Sequence, residues 1–492
     1  MLDLLKEESN RTWTENGALA KATSGSDCLD LFATIGALRN EGEEEILSRF
    51  IRAYTENADL AMKILFYARD IRGGLGERRT FRVIFSWLAT QKPESVEKNL
   101  NVLAEFGRFD DFLILFDTPC EKKMLAFLQN QFQQDLEQAR KGGAISLLAK
   151  WLPSVNASSP QTVRFGKRIA KAFGMREASY RKALSMLRKK LHVLERDLSA
   201  KDYSFDYAKQ PSRAMFQYKD AFFRNDGERY QAFLSQVSTG NCSLHTEQIC
   251  PYELVEACME PSRSSMLKSL SREEEEVLNV SWEALPDYAG EEDVLAVIDN
   301  SASMYCDGSP RPASVALSLG LYLAERNRGK FAGHYMEFSR TPQLIQVKGK
   351  TFTDRLRYAS TFHQVADTNL EEVFQLLLRT AVTYQLKQKD LPGKLVILSD
   401  MEFNACVTNA SATNFEQAKN LFEEHGYHLP QILFWNVASR NRQQPVTENE
   451  EGVMLLSGVT PKLFQIAAGT HGSPYTFMTD ILSSQRYARI SA

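Results

Sequence analysis

Apolar residues in the first 285 positions recur at helical spacing, with short polar or glycine-containing breaks between the runs. Residues three and four positions apart lie on one face of a helix, so each run predicts an amphipathic helix. The clearest runs cover residues 28–38, 45–54, 58–68, 81–88 and 123–132. Helices that follow one another without intervening strands predict a HEAT-like α-helical repeat domain over residues 1–285.

The hydrophobic pattern changes in residues 286–492, where short β-branched runs alternate with longer helical runs. The short runs are typical of strands buried on both faces of a parallel sheet. We predict strands at 294–299, 395–399, 431–437 and 453–456 and a hairpin at 331–338 and 344–347. We predict helices at 313–326, 370–386, 414–425 and from residue 461. Residues 286–492 are therefore expected to form a doubly wound α/β domain.

Three oxygen-bearing side chains follow the first predicted strand of this domain, in the pattern Asp299-x-Ser301-x-Ser303. A loop that leaves the carboxyl end of a parallel strand faces the crevice where open α/β sheets bind ligands. Carboxylate and hydroxyl oxygens suit Mg²⁺, Mn²⁺ or Ca²⁺, whereas Zn²⁺ prefers nitrogen and sulfur. The loop therefore predicts a divalent-cation site, and the alternative is an accidental serine loop in a plain α/β domain.

This loop resembles the metal-ion-dependent adhesion site (MIDAS) of von Willebrand factor A domains. The resemblance implies that a threonine and a second aspartate on later loops complete the ligand set. Thr368, which opens a predicted helix, and Asp400, which follows the strand 395–399, match these positions, although Asp367 stands where the family more often has glycine. The metal ligands implied in this way are Asp299, Ser301, Ser303, Thr368 and Asp400. Such a site leaves one coordination position for a carboxylate of a partner protein.

Length and composition limit the class of protein. A chain of 492 residues is too long for one hydrophobic core, which predicts two or more domains. No apolar run is long enough to cross a bilayer, and the first residues lack the basic-then-apolar order of a signal peptide. Seven scattered cysteines argue against a disulfide framework and for a reducing compartment. We therefore expect a cytoplasmic protein without a membrane partner.

The net charge of −3 conceals a basic stretch, because residues 151–200 contain 11 basic and three acidic side chains. Four of these cations lie at helical positions i, i+3, i+4 and i+7, and others flank the leucine stripe of the next predicted helix. Two cationic helix faces suit a phosphate backbone, and a solvated or protein-facing surface is the alternative. The predicted RNA-binding residues are Arg164, Lys167, Arg168, Lys171, Arg181, Lys182, Arg188 and Lys189.

Motifs spread over the chain resemble a family of TROVE-type proteins that is distantly related to the Ro ribonucleoprotein autoantigens. The motifs include segments 69–79, 105–111, 149–153, 180–189, 210–214 and 399–403. The resemblance implies helical repeats that can close into a ring, followed by a von Willebrand factor A domain. It also implies binding of small structured RNAs on a basic outer surface and of single-stranded ends of defective RNAs in the central hole.

These observations favour a non-enzymatic, Ro-like RNA-binding protein that also binds a protein partner through its metal, as in ribonucleoprotein assembly or RNA quality control. Ser301 and Ser303 lack a histidine in a recognisable triad order, which argues against nucleophilic catalysis. Two alternatives stay open: a metal-dependent protein scaffold without RNA, and a Mg²⁺-dependent hydrolase. The sequence does not determine the RNA, the protein partner, the ion, the oligomeric state or whether the repeats close into a ring.

Overall fold

The computed structural model describes the chain except for residues 261–262, 306–307, 339–340, 363–368, 406–411 and 470–471, and it also omits the side chains of 263–266 and 338. The chain forms two compact units, each assembled from two segments. Unit 1 contains Met1–Ile64 and Gln236–Ser484, and unit 2 contains Leu65–Ser235 and Gln485–Ala492. These units combine segments from both sides of residue 285, and the domain boundary expected there stays a prediction.

The first part of the chain is short helices and one small hairpin. Its elements are α1 (Leu2–Ser9), β1 (Arg11–Trp13), β2 (Leu19–Lys21), α2 (Asp27–Thr34), α3 (Glu43–Glu56) and α4 (Ala58–Arg69). Strands β1 and β2 pair antiparallel. The buried Ser26 caps α2, since its hydroxyl accepts a hydrogen bond from the backbone N–H of Leu29 at 3.2 Å.

The middle of the chain is helical. Its elements are α5 (Arg79–Gln91), α6 (Pro93–Lys98), α7 (Leu100–Phe106), α8 (Glu121–Arg140), α9 (Leu148–Trp151), α10 (Pro160–Ala172), α11 (Glu177–Lys190), α12 (Leu194–Ser199) and α13 (Ser212–Ser238), with 3₁₀ turns at Phe109–Leu115 and Tyr207–Lys209. The long helix α13 is kinked at Asp226, whose backbone is not helical.

From residue 251 onward, helices alternate with strands. The elements are α14 (Pro251–Cys258), β3 (Met259–Glu260), β4 (Arg263–Leu267), α15 (Arg272–Glu283), β5 (Val294–Asp299), α16 (Pro312–Arg326), β6 (His334–Phe338), β7 (Gln343–Gln346), α17 (Phe352–Ser360), α18 (Leu370–Thr383), β8 (Lys394–Ser399), α19 (Asn414–Glu424), β9 (Gln431–Asn436), β10 (Val453–Ser457), α20 (Lys462–Ile466) and α21 (Pro474–Leu482).

Six of these strands form one sheet in the order β10-β9-β8-β5-β6-β7. All neighbours are parallel except β6 and β7, which form the predicted hairpin. From β5 the chain first adds strands on one side and then returns to place β8 on the other side, which is the doubly wound order. Every residue of β5, β8 and β10 is buried, as expected where helices cover both faces of a sheet.

The predicted fold class is confirmed: a mostly helical N-terminal region precedes a C-terminal α/β region with a six-stranded mixed sheet. Strand β5 begins and ends at the predicted residues, and β8 begins one residue earlier than predicted. Among the described residues, no helix combines the length and the apolar character needed to cross a membrane.

The N-terminal segment is part of unit 1 because its side chains and backbone bond to loops of the α/β region. The Thr14 hydroxyl donates to the carbonyl of Phe403 at 2.5 Å. The buried Arg49 donates to the hydroxyl of Ser439 at 2.8 Å and to the carbonyl of Asn441 at 3.0 Å. These contacts attach residues 1–64 to the loops that follow β8 and β9.

The core of unit 2 contains a buried ion-pair network centred on Asp111, which is fully buried. Arg69 donates to Asp111 Oδ2 from Nε at 2.9 Å and lies 2.7 Å from it through Nη2. Arg82 Nε donates to Asp111 Oδ1 at 2.7 Å, and the backbone N–H of Arg108 donates to Oδ2 at 2.9 Å. Both carboxylate oxygens are therefore satisfied by cationic or backbone donors.

The C-terminal segment of the chain packs into unit 2 beside this network. Tyr487 is buried and stacks on Phe106 with ring centroids 5.7 Å apart. Arg486 donates to both carboxylate oxygens of the buried Asp70. A β-carbon at Gly74 would lie 2.1 Å from the carbonyl oxygen of Tyr67, so this turn requires glycine. The motif 69–79 thus has a structural role in unit 2.

Replacing Asp111 by Asn should lower the free energy of unfolding by about 3–5 kcal/mol, because the buried Arg69 would lose its carboxylate. Thermal and urea denaturation followed by circular dichroism measure this loss. The control is Glu137→Gln, since Glu137 forms only an exposed pair with Lys141 and should contribute less than about 1 kcal/mol. Equal loss of stability in the two variants would contradict the structural role of the network.

Candidate functional site

Two carboxylates lie at the carboxyl edge of the central strands of the sheet. Asp299 is the last residue of β5, and Asp400 directly follows β8. These strands are parallel neighbours, with Ile298 paired to Leu398. Parallel neighbours end at the same edge, so both residues lie at the carboxyl edge where the strand order reverses. Asp299 is 1% exposed and Asp400 is 3% exposed, which removes both from bulk water.

The loop after β5 brings two hydroxyls to the same place. The backbone N–H of Ser301 donates to Asp299 Oδ1 at 2.9 Å, and the 3₁₀ turn Ala302–Tyr305 follows. The hydroxyl oxygens of Ser301 and Ser303 are 2.9 Å apart. The Ser399 hydroxyl donates to Asp299 Oδ2 at 2.5 Å, so both oxygens of Asp299 are oriented. The structure thus places Asp299, Ser301 and Ser303 in one hydrogen-bonded loop, and their role as metal ligands stays a prediction.

Buried polar contacts hold this loop against strand β6. Asn300 is 4% exposed and its side-chain amide donates to Glu337 Oε2 at 3.3 Å. The Tyr305 hydroxyl donates to the side-chain oxygen of Asn300. Glu337 is itself buried on β6. These bonds restrict the loop on the side opposite to β8.

The electrostatics of the site favour a cation. Burial raises the pKa of Asp299 well above its usual range, and the nearby Asp400 carboxylate raises this pKa further. Hydrogen bonds from Ser399 and Ser301 oppose the shift but do not cancel it. Two buried carboxylates that repel each other are stabilised by a cation placed between them.

Arg440 contacts the second carboxylate. Its guanidinium donates to Asp400 Oδ2 at 2.9 Å and lies 3.2 Å from Glu15 Oε2. Met401, the residue after Asp400, has φ 68°, which is unusual for a residue with a side chain. This turn allows the backbone N–H of Glu402 to donate to Asp400 Oδ1 at 3.2 Å. The Asp400 side chain is therefore oriented from two sides.

Glu402, which sequence analysis did not single out, anchors the loop after β8. It is 1% exposed and accepts hydrogen bonds from the backbone N–H of Glu15 at 2.7 Å, the amide of Asn441 at 2.8 Å and the amide of Gln443 at 2.7 Å. Its place in the motif 399–403 was the available signal. Arg440 carried no such signal, because it lies 40 residues from Asp400 in a polar segment.

The donor set suits a hard divalent ion. Two carboxylates and two hydroxyls are oxygen ligands of the kind that Mg²⁺, Mn²⁺ and Ca²⁺ accept. The predicted ligand Thr368 lies outside the described residues. Among the residues that are described, no three His, Cys, Asp or Glu side chains cluster as a metal-binding group, so the candidate site depends on hydroxyl ligands.

The basic residues of α10 differ in whether they form ion pairs with nearby carboxylates. Arg168 donates to Asp117 at 2.8 Å and to Glu121 at 2.5 Å, so its charge is balanced within unit 2. Arg164 and Lys167 are exposed and make longer ion pairs, at 3.6 Å with Asp117 and 3.5 Å with Glu177. Lys171 is exposed, and the described residues give it no ion pair.

The basic residues of α11 divide in the same way. Arg188 is half-buried and donates to the carbonyls of Ala149 and Leu152 at 2.8 and 2.7 Å and to the Ser154 hydroxyl at 2.8 Å. It therefore connects α11 to α9 and to the segment after it. The other three predicted residues are exposed and form no ion pair within the described part of the chain: Arg181, Lys182 and Lys189.

Comparisons with known proteins found two family models, a viral relative and a solved structure. A model described as a domain of unknown function, DUF7788, matches residues 293–473. The Uncharacterized protein L728 of Acanthamoeba polyphaga mimivirus is 28% identical over 501 residues, which cover 93% of this chain and 84% of that protein. A crystal structure of the Deinococcus radiodurans Ro (RSR) protein superposes with a TM-score of 0.47 and 14% identity, covering 93% of this chain and 99% of that one.

A second family model, described as the domain of unknown function DUF2828, matches residues 14–126 and 122–288. Together these matches extend over more than half of the chain, and they end shortly before the sheet begins at Val294. The chain therefore belongs to the DUF2828 family.

Proposed function

We propose that the protein binds RNA through the basic surface of unit 2 and a protein partner through a divalent cation in unit 1. Its role would be non-enzymatic assembly or surveillance of ribonucleoproteins. The observation that carries the RNA part is the set of exposed cations on two successive helices. The arrangement of Asp299 and Asp400 at the switch point of the sheet supports the metal part.

The RNA surface consists of the predicted cations that are exposed and make no hydrogen-bonded ion pair inside unit 2. Arg168 and Arg188 are committed to internal partners, which leaves six exposed residues: Arg164, Lys167, Lys171, Arg181, Lys182 and Lys189. Phosphate contacts from such residues give an affinity that depends on salt and little on sequence. Four of the six have no ion pair in the described chain, so a phosphate displaces no carboxylate from them.

The metal would be held by Asp299, Ser301, Ser303 and Asp400, with Thr368 as a further candidate. When bound, a divalent cation supplies a charge that both carboxylates and an external acidic group can share. Ser399 and the backbone of Ser301 orient Asp299, and Glu402 and Arg440 orient Asp400. An acidic side chain of a protein partner fits the remaining coordination position.

The arrangement does not favour nucleophilic catalysis. Within the described residues, the hydroxyl of Ser301 is bonded to the hydroxyl of Ser303 rather than to a histidine that could remove its proton. The hydroxyls therefore serve better as neutral metal ligands than as nucleophiles. Assays for phosphatase and nuclease activity with and without Mg²⁺ test the hydrolase alternative.

Mg²⁺ should raise the melting temperature of the wild-type protein and not that of Asp299→Asn or Asp400→Asn. A ligand bound only by the folded state stabilises it, by about 2.7 kcal/mol at a hundredfold excess over its Kd. Differential scanning fluorimetry with increasing Mg²⁺ measures the shift. The control Asp480→Asn removes an exposed carboxylate of the same unit and should keep the response. Equal shifts in all four proteins would exclude the proposed site.

The stabilisation by Mg²⁺ should increase with pH. The pKa of Asp299 is raised in the folded state, so folding without metal takes up a proton. The metal-free protein therefore becomes less stable as pH rises through this raised pKa. Metal binding needs the ionised carboxylate, so protons compete with Mg²⁺ at low pH. Melting temperatures with and without Mg²⁺, measured from about pH 5 to about pH 8, test this. If the rise in melting temperature with Mg²⁺ is the same at every pH, the assignment of Asp299 as a ligand is wrong.

Changing Arg164, Lys167 and Lys171 together to Gln should weaken binding of RNAs of different sequence to a similar degree. Each lost phosphate contact should reduce the slope of log affinity against log salt by about 0.7 for single strands and about 0.9 for duplexes. Fluorescence anisotropy at several salt concentrations measures both quantities.

The matched control for this experiment neutralises three exposed cations elsewhere in unit 2, Arg140, Lys141 and Lys209, and should leave the slope unchanged. A slope that stays the same in the α10 variant would show that this helix does not contact phosphates. Absence of RNA binding by the wild-type protein would instead favour a metal-dependent scaffold.

A further inference from the structure

Unit 2 contains an open cleft beside helix α11. The cleft has a volume of about 690 Å³ and is bounded by residues 154–157, by α11, and by Val193 and Arg196. Its lining includes four cations, Arg181, Lys182, Arg188 and Arg196, and no carboxylate. Small-molecule sites usually have volumes of about 300–1,000 Å³, so the cleft is large enough for a ligand of this class.

The cations of the cleft have two different roles. Arg188 donates to Leu152 and Ser154, which fixes the segment that forms one wall. Arg181, Lys182 and Arg196 are exposed, and no ion pair is recorded for them in the described residues. The three exposed cations have no carboxylate partner within the part of the chain that the structure describes, and Arg188 fixes the wall beside them. This arrangement favours binding of an anion.

The rest of the lining is apolar or uncharged. Leu184 is 2% exposed and lines the cleft together with the half-buried Val155 and Val193, and these three residues are its apolar wall. Asn156 and Ser185 add neutral hydrogen-bonding groups. An inorganic anion would not use an apolar wall, whereas a nucleotide has an anionic phosphate, an apolar base face and polar base edges.

We propose that this cleft binds one unpaired nucleotide of an RNA, with the phosphate at Arg181, Lys182 and Arg196 and the base against the apolar wall. The inference rests on the proposed RNA-binding function and specifies which RNA is preferred. Bases of a duplex are stacked inside the helix and do not enter a cleft, so single-stranded segments are selected. Sequence analysis predicted a surface for phosphate backbones, and the cleft adds Arg196, Asn156 and a place for a base.

The experiment compares binding of a single-stranded RNA and of its duplex form by wild type, Ser185→Trp and Ser179→Trp. Both serines are exposed on α11, but only Ser185 lines the cleft, so tryptophan there occupies part of it without changing charge. Ser185→Trp should weaken single-strand binding about fivefold to about 150-fold, which corresponds to the loss of base contacts of about 1–3 kcal/mol. Duplex binding should change less than about twofold. Ser179→Trp should bind both RNAs as the wild type does.

The experiment distinguishes failure of the nucleotide site from failure of the proposed RNA-binding function. If Ser185→Trp binds the single strand as well as the wild type does, the cleft holds no nucleotide although the protein binds RNA. If it loses single strand and duplex equally, the cleft contacts only backbone and the assignment of a base is wrong. If the wild type binds neither RNA, the proposed function itself fails.

Two further measurements protect the test from a folding defect. The melting temperature of Ser185→Trp should match that of Ser179→Trp. If it does not, Lys182→Gln with Arg196→Gln replaces it and should lose more affinity for the single strand than for the duplex, whereas equal losses would contradict the nucleotide site. Uridine monophosphate should compete with the single strand much better than uridine, because the rim cations bind its phosphate. Equal competition by the two compounds would contradict the phosphate position.

Discussion

Two carboxylates are buried at one edge of the sheet in unit 1, and the contacts around them have to compensate for the repulsion between their charges. Asp299 and Asp400 are brought together by the strand order, because β5 and β8 are adjacent parallel strands whose carboxyl ends coincide. Burial raises the pKa of Asp299, and repulsion from Asp400 raises this pKa further, so two charged carboxylates are unfavourable in this place. The arrangement persists because the surrounding groups donate to both carboxylates.

Those supporting groups come from distant parts of the chain. The Ser399 hydroxyl and the Ser301 backbone orient Asp299, whereas Arg440 and the turn at Met401 orient Asp400. Glu402 then connects the same turn to Glu15 in the N-terminal segment. The positive φ at Met401 is a strained backbone conformation beside the candidate site. Strained backbone conformations are common next to ligand-binding sites. The turn after β8 and the N-terminal segment are therefore packed together within unit 1.

Much of this could be predicted from local patterns. The uninterrupted apolar runs that end at Asp299 and Asp400 are the signature of buried parallel strands, and their chain order places both acids at one edge. The partners of charged residues could not be predicted, because they lie far apart in sequence. Arg168 is balanced by acids about 50 residues earlier, and Arg49 bonds to Ser439, 390 residues later. Contacts between distant parts of the chain also determine that each unit is assembled from two separated segments and that a cleft lies beside α11, so neither feature could be predicted.

The most direct test of this account is a crystal structure of the protein soaked with Mn²⁺, with data collected at an energy where manganese scatters anomalously. The account predicts one strong anomalous peak at the carboxyl edge of the sheet, within about 2.0–2.6 Å of oxygens from Asp299, Asp400 and the serine loop. That structure would also show whether Thr368 joins the ligand set. Absence of a peak there, with Arg440 retained on Asp400 at saturating Mn²⁺, would contradict the claim that these carboxylates are arranged for a cation.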